Sequence, residues 1–327
     1  MPDSIVSRWN LKPSVVIKKL IAGKFGIVFA LFVLGAIFGI LSPIFVSWGN
    51  VSNIMIQAGT NAMLAAGMTF VILAAGIDLS VGSIVALSSV LGANIMVMTG
   101  NVLLGIIVAL CFGLVCGAFN GFFVAVVGFP PFIVTLSTMW LYRGLAYVIT
   151  RGQAVVGLPV ENMNLALGSF LGLPYIVWLI IVVYLVCFVV LTRLTFGRKV
   201  YAVGDNAESA RLSGVNVRWV KFAVFLISGF LAALGGIILM SRLNSGQPVA
   251  GQGFELFAIA AAVIGGTSLT KGGVGGIGGT LIGALFISAL MNGLIIQNVS
   301  AFWQQVLMGI VVLCAIGLDK YRKTISN

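Results

Sequence analysis

Long apolar stretches separated by short polar segments recur along the whole chain. They cover 25–41, 54–75, 83–98, 102–127, 132–149, 174–191, 219–241, 255–266, 275–296 and 302–318. A helix needs about 20 apolar residues to cross the hydrocarbon core of a bilayer, with a range of about 17–25. The pattern therefore predicts an all-α polytopic membrane bundle of about ten transmembrane helices. The stretch 255–266 is too short to cross alone, so it is either a half-helix or extends into Gly253 and Thr267.

The composition supports a lipid-embedded chain. Of the 327 residues, 60% are hydrophobic and only 8% are charged, and the mean hydropathy is +1.18. A soluble domain is about half apolar and about one quarter charged. An aqueous fold could not hide this much apolar surface, so we expect the lipid bilayer to surround most of the chain.

The net charge of +11 has a topological explanation. With the N-terminus placed in the cytoplasm and alternating crossings, 15 of the 18 basic residues fall on the cytoplasmic side. This is the bias that the positive-inside rule describes, so no nucleic-acid partner is needed to explain the charge. We expect both termini to be cytoplasmic in a bacterial inner membrane protein. The predicted organisation is a cytoplasmic segment 1–24, a single transmembrane domain 25–318 and a cytoplasmic tail 319–327.

The longest polar segment, 193–218, is expected to be a cytoplasmic loop that contains a short helix. Asp205 and Asn206 are good N-cap residues, and Gly214 suits the left-handed turn that ends a helix. A surface helix of about two turns is marginal in isolation. We therefore expect it to dock against a partner.

Enzymatic chemistry and metal binding find no support in the motifs. "GVGGIG" at 273–278 fits a dinucleotide fingerprint, but no acidic residue follows at the required spacing of about 20 positions. No Walker A motif occurs, and the chain has no histidine for a Ser-His dyad or a metal cluster. The four cysteines lie in apolar runs and are expected to be small packing residues. We therefore expect no catalytic residue, no cofactor and no metal site.

Asp78 in "GIDLSVGS" is an unusual charge between two apolar runs. Asp78 and Ser80 stand just before a predicted helix, where side-chain oxygens accept from free N–H groups and a negative charge meets the helix dipole. Helix capping and direct contact with a substrate or ion both remain open for Asp78. The two roles are compatible, because a break between helices can line a cavity.

Other polar residues inside the apolar stretches are candidates for a transport pathway. Arg143 lies at mid-span and should face protein or water rather than lipid. Glu255 is either a helix-start carboxylate or a partner for Arg143, and we favour the helix start. The remaining candidates are Asn61, Thr69, Asn120 and Asn292, each of which could instead satisfy the backbone of a neighbouring helix.

Five ordered motifs resemble one known family. "GIDLSVGS", "YRGLAYVIT", "NAESARLSGVNV", "SGQPVAGQGFEL" and "IGGTSL…GGTLIGAL" together resemble the permease subunit of bacterial ribose-type sugar ABC importers, over roughly 25–318. The resemblance includes permeases for ribose, xylose, arabinose, galactose, allose and autoinducer-2. One departure is Phe257, which stands where family members often carry an acidic residue.

The resemblance implies three partners and a division of labour. Two permease copies would form the pathway, a separate ABC ATPase would drive it, and a periplasmic binding protein would deliver a monosaccharide, with ribose as the first expectation. The cytoplasmic helix at about Ala207–Gly214 would transmit movements of the ATPase to the bundle. The residues implied in coupling are Asp205, Ala207, Glu208, Ala210, Arg211 and Gly214. The alternative is an ion-coupled secondary transporter or channel that works without an ATPase.

Overall fold

The computed structural model describes residues 26–326, and side chains as far as Lys320. The predicted segment 1–24 lies outside these residues. The first helix, α1, spans Gly26–Leu41 and leads through a 3₁₀ turn at Pro43–Val46 into α2, Trp48–Leu73. Next come α3 (Val81–Thr99), α4 (Val102–Phe122, extended by a π turn at Phe123–Val127) and α5 (Pro131–Thr150).

The second half of the chain contains more short elements. A short helix α6 (Glu161–Leu167) and a two-stranded antiparallel hairpin, β1 (Ser169–Phe170) with β2 (Leu173–Pro174), precede α7 (Tyr175–Thr192). Then follow α8 (Thr195–Asp205), α9 (Ala207–Leu212), α10 (Val217–Leu243), α11 (Phe254–Ile264), α12 (Ile277–Ile296) and α13 (Ala301–Ser326). The predicted tail 319–327 thus begins inside α13.

The predicted membrane bundle is confirmed. Each of the ten apolar stretches coincides with a helix, and eight helices in the described chain are long and apolar enough to cross a membrane. The two shorter apolar helices are α1 and α11. Helix α11 has 11 residues and begins at Phe254, so it is a half-helix rather than a full span.

Three helices form the centre of the bundle. Most residues of α2, α3 and α10 are buried, whereas only a minority of the residues of α4, α5, α7 and α13 are buried. The exposed faces of the outer helices carry large apolar side chains such as Phe112, Trp140 and Leu185. Such an outer surface is suited to lipid, because a bilayer core offers no hydrogen bonds to polar groups.

An irregular segment, residues 244–253, lies inside the bundle. Its start pairs with Val155 through two backbone hydrogen bonds of 2.8 and 2.9 Å with Gly246. It then follows α3, with Gly246 against Ala93 and Gly251 against Gly82. Those two α3 residues are about 16 Å apart at 1.5 Å per residue. Residues 244–253, the descending segment, therefore run along α3 from Ala93 towards Gly82 before α11 begins.

The loop 193–218 contains two helices where the sequence analysis predicted one. The additional helix, α8, buries Gly197, Val200 and Val203 on one face. Asn206 caps α9 by accepting a hydrogen bond from the Ser209 N–H at 2.9 Å. The prediction of Asn206 as a cap is confirmed, whereas Asp205 is the last residue of α8 and caps nothing in α9.

Candidate functional site

Asp78 lies at the centre of a buried polar network. Its side chain is completely buried. Its Oδ1 accepts from the Ser80 N–H at 3.0 Å and from the Ser80 hydroxyl at 2.6 Å. Its Oδ2 accepts from the Ser228 hydroxyl of α10 at 2.7 Å. These three hydrogen bonds hold the carboxylate between the start of α3 and the middle of α10.

The network continues from Ser80 into α4 and α5. The Asn120 amide donates to the Ser80 hydroxyl at 2.8 Å. The Tyr142 hydroxyl reaches the Asn120 amide oxygen at 3.4 Å and donates to the Cys116 carbonyl at 3.0 Å. Asp78, Ser80 and Asn120 are thus satisfied by protein groups and are closed to solvent in this conformation.

The capping prediction for Asp78 and Ser80 needs a correction. Helix α3 begins at Val81, and Ser80 occupies the cap position without a side-chain capping bond. The Ser80 hydroxyl instead donates to Asp78, and Asp78 accepts from the N–H that precedes the helix. Because Asp78 and Ser80 are only two residues apart, the Asp78 carboxylate bonds within this local turn and not to an N–H of the first turn of α3.

Arg143 holds the descending segment in place. Its guanidinium donates to the carbonyls of Pro248 at 2.7 Å, Ala250 at 2.5 Å and Gly82 at 3.2 Å. The expectation that Arg143 faces protein is confirmed. Irregular backbone within a membrane needs such donors, because its carbonyls have no helical partner.

Glu255 lies in the first turn of α11. Its carboxylate faces the backbone N–H groups of Gly253 and Glu255 and lies in the electrostatic field of Arg143. No ion pair within 4 Å joins Glu255 to Arg143 among the residues described. The helix-start interpretation accounts for this geometry, and Arg143 acts on Glu255 only at longer range.

Two further pathway candidates join helices to each other. Thr69 on α2 shares a hydrogen bond of 2.8 Å with Thr280 on α12. The Asn292 amide oxygen accepts from Asn50 at 2.9 Å. Both side chains are buried, and their contacts are those of interhelical packing.

Asn61 differs from the other candidates because it lines a cavity. The cavity has a volume of about 150 Å³ and lies between α2, α10, α11 and α12. Its other polar lining residues were not predicted from the sequence; they are Gln57, Thr60, Arg242 and Ser288. They lie in three different helices, and only the polarity of each within an apolar stretch could have drawn attention to them.

The polar surface of α9 is exposed at the end of the bundle that carries the loop 193–218. Glu208 and Arg211 form a bidentate pair at 2.6 and 2.9 Å. The hydrogen bonds from Arg211 lower the pKa of the Glu208 carboxyl. Leu212, which the sequence analysis did not single out, is 74% exposed beside this pair.

The remaining residues implied in coupling shape the two ends of α9. Ala210 is buried and Ala207 is half-buried, so these small side chains allow close contact with the bundle. Gly214 follows the helix with φ +82°, a conformation that favours glycine. Asp205, at the end of α8, lies 3.5 Å from the Lys271 ammonium.

A junction of loops connects this surface to α2. The Gly273 N–H donates to the Leu73 carbonyl at 2.9 Å. The α-carbon of Gly204 lies so close to the same carbonyl that a Cβ would clash with it. The ends of α2 and α8 and the loop 271–275 are therefore in direct backbone contact.

The chain is similar to known transport proteins over most of its length. Residues 50–316 match the family model described as "Branched-chain amino acid transport system / permease component". The chain is 45% identical over 299 residues to the ribose import permease protein RbsC of Bacillus subtilis, covering 91% of this chain and 92% of that protein. It is 40% identical to the D-allose transport system permease protein AlsC of Escherichia coli strain K12, covering 91% of each chain.

The L-arabinose transport system permease protein AraH of Escherichia coli strain K12 is 39% identical, over 91% of this chain and 90% of that protein. No solved structure matches the chain significantly. The helical membrane bundle, the match over 50–316 and these three relatives agree with one another. The chain therefore belongs to the family of transport-system permease components, and it is related there to the permeases for ribose, allose and arabinose.

Proposed function

We propose that the chain is the membrane-spanning permease of an ABC importer for a monosaccharide, with ribose as the first candidate. The observation that carries the proposal is the identity of 45% over 299 residues to a ribose import permease. The alternative of an ion-coupled transporter has no support among the relatives described above, which are named as a ribose import permease and as permeases of D-allose and L-arabinose transport systems.

The partners follow from this class of transporter. A separate ATPase binds the cytoplasmic surface, a periplasmic protein delivers the sugar, and a second copy of the chain completes the pathway. The chain itself is not an enzyme, because ATP is hydrolysed by the partner subunit. The exposed surface of α9 supports this arrangement, since Leu212 and the Glu208–Arg211 pair face away from the bundle.

We propose that the chain lies in a bacterial inner membrane with α8, α9 and both termini on the cytoplasmic side. The support is the distribution of basic residues, which concentrates 15 of 18 on that side. The organisation is a cytoplasmic segment 1–24, one transmembrane domain 25–318 with the coupling loop 193–218, and a tail 319–327.

Asp205, Ala207, Glu208, Ala210, Arg211 and Gly214 are the coupling residues of this proposal. Arg211→Glu removes the bidentate pair with Glu208 and reverses an exposed charge. Gly214→Val places a β-branched residue at φ +82°. Both variants should insert into the membrane but no longer co-purify with the ATPase. Normal co-purification of both variants would contradict the assignment of this surface.

A charge reversal at the opposite end of the bundle provides the control. Arg151 is exposed at the end of α5, so Arg151→Glu should keep the ATPase bound. The full function is tested with the permease, ATPase and binding protein reconstituted in liposomes. Ribose uptake should require ATP and both partners, whereas uptake by the permease alone under an ion gradient would establish the alternative.

A further inference from the structure

The cavity next to Asn61 lies in the half of the bundle that is remote from α8 and α9. Asn61 is twelve positions before Leu73, whose carbonyl contacts the loop junction. This separation corresponds to about 18 Å along a helix. With a volume of about 150 Å³ the cavity has room for several water molecules or for one small solute.

The Asn61 side chain lines this cavity and carries a buried acceptor that has no partner. Asn61 is 7% exposed, and its amide nitrogen donates to the Ala284 carbonyl at 3.3 Å. Its amide oxygen is buried and has no hydrogen-bond partner. Buried polar atoms without a partner are rare, and each one calls for a specific explanation.

Three more polar side chains face the same space without a protein partner. In the part of the chain that the structure describes, Gln57, Arg242 and Ser288 line the cavity and make no side-chain hydrogen bond or ion pair with protein. Thr60, which also lines it, is instead bonded to the Gly235 carbonyl at 3.4 Å. Three unused polar side chains from three helices therefore converge on one space.

An aromatic surface forms another wall of the cavity. The rings of Phe254 and Phe257 are stacked, with centroids 5.5 Å apart and an interplanar angle of 22°. Small-molecule sites typically combine apolar or aromatic walls with a few placed polar groups. A sugar ring matches this combination, because it has C–H faces and a rim of hydroxyl groups.

We propose that this cavity binds a neutral monosaccharide along the transport pathway that the two permease copies form, an inference that rests on the transport function proposed above. Gln57, Ser288 and Arg242 donate to the sugar oxygens. The apolar face of the ring packs against Phe254 and Phe257. Affinity must remain modest, because a tightly held substrate would not be released.

The charges around the cavity favour a neutral ligand with hydroxyl groups. Among the residues that the structure describes, Arg242 is the charged residue in the lining and no carboxylate lines the cavity. Glu255 is adjacent in sequence to Phe254, but its carboxylate lies beside Gly82 on α3, where a Cβ would be 2.6 Å from Oε2. A cationic substrate would therefore find no counter-charge in this cavity.

The first test is protection of a cysteine by sugar. Met291 lines the cavity, so Met291→Cys, in a complete transporter whose permease has its four native cysteines replaced by alanine, should react with a small water-soluble methanethiosulfonate. Ribose should slow this reaction. The control Thr99→Cys lies on an exposed helix end, and ribose should not change its labelling rate.

The second test measures the contribution of the polar groups. In the Met291→Cys background, Gln57→Leu and Ser288→Ala each remove one hydrogen bond to the sugar, so the ribose concentration for half-maximal protection should rise roughly three- to tenfold. The matched control is Asn94→Leu, because the Asn94 amide bonds only to its own helix at 3.1 Å and lies outside the cavity. This control should leave the concentration unchanged.

The outcomes separate this proposal from the general transport function. Ribose import by the wild-type transporter without protection of Met291→Cys would overturn the binding site while leaving the function intact. Protection by a sugar acid or an amino acid but not by ribose, or no labelling of Met291→Cys at all, would also overturn it. Failure of the wild-type transporter to import any monosaccharide would instead refute the proposed function.

Discussion

Ser228 on α10 donates a hydrogen bond of 2.7 Å to Asp78, a residue 150 positions earlier in the chain. The bond links the start of α3 to one of the most buried helices of the bundle. Since Asp78 also accepts two bonds from Ser80, both of its carboxylate oxygens are bound by protein groups. This explains how a carboxylate persists in a chain with only seven acidic residues.

Ser228→Ala should destabilise the permease by about 1–3 kcal/mol, because it leaves one oxygen of a buried carboxylate without its donor. The measurement is the melting temperature of the purified protein in detergent. Ser137→Ala is the control, since Ser137 is exposed and bonds only to the Ile133 carbonyl of its own helix. Equal melting temperatures for the two variants would contradict a structural role for the Asp78 network.

Arg143→Gln should release the descending segment 244–253. A glutamine cannot reach all three carbonyls that Arg143 serves, so two or more buried acceptors lose their donor at a cost on the order of 2 kcal/mol or more. Arg151→Gln, at the residue that follows the end of the same helix, provides the control, because Arg151 is exposed. A fall in melting temperature confined to Arg143→Gln would support the prediction, and no difference between the two would refute it.

Gly283→Ala should separate α11 from α12. A Cβ at Gly283 would clash with the backbone carbonyl of Ala261, so one of the two helices must move. Gly278 lies on the same helix with open space around its Cβ position. Gly278→Ala should therefore be neutral or stabilising by up to about 1 kcal/mol. Thermal melting of both variants tests the contrast, and a harmless Gly283→Ala would show that this close contact is dispensable.

Leu212→Asp should weaken binding of the ATPase without lowering the melting temperature of the isolated permease. Leu212 is 74% exposed and contributes little to the bundle itself. Leu171, at the hairpin near the opposite end, is 76% exposed and serves as the matched control. Co-purification with the ATPase should be lost for Leu212→Asp and kept for Leu171→Asp, and retention by both would place the docking surface elsewhere.

Apolar length and local caps made much of the fold predictable. Stretches such as 102–127 and 219–241 coincide with helices because hydrophobicity alone decides which segments enter a bilayer. Asn206 was recognisable as a cap because capping depends on one side chain and the next few N–H groups. These are local properties of the sequence.

Features that depend on tertiary packing were harder to predict. Helix α8 was missed, although Phe196, Val200 and Val203 recur at helical spacing among charged residues. The cavity residues Gln57, Arg242 and Ser288 come from helices that are far apart in sequence, so no local pattern brings them together. The role of Asp78 was only partly predictable, because its decisive partner is Ser228.

The contacts at the Leu73 carbonyl have a mechanical consequence. Helix α2 runs without interruption from Trp48 to Leu73, so its two ends cannot shift independently. If a partner protein displaced α8, Gly204 would push against the Leu73 carbonyl and the whole of α2 would tilt. The same tilt would move Asn61 relative to the neighbouring helices. Binding of a partner at one face of the membrane would thereby change the shape of the cavity near the other face.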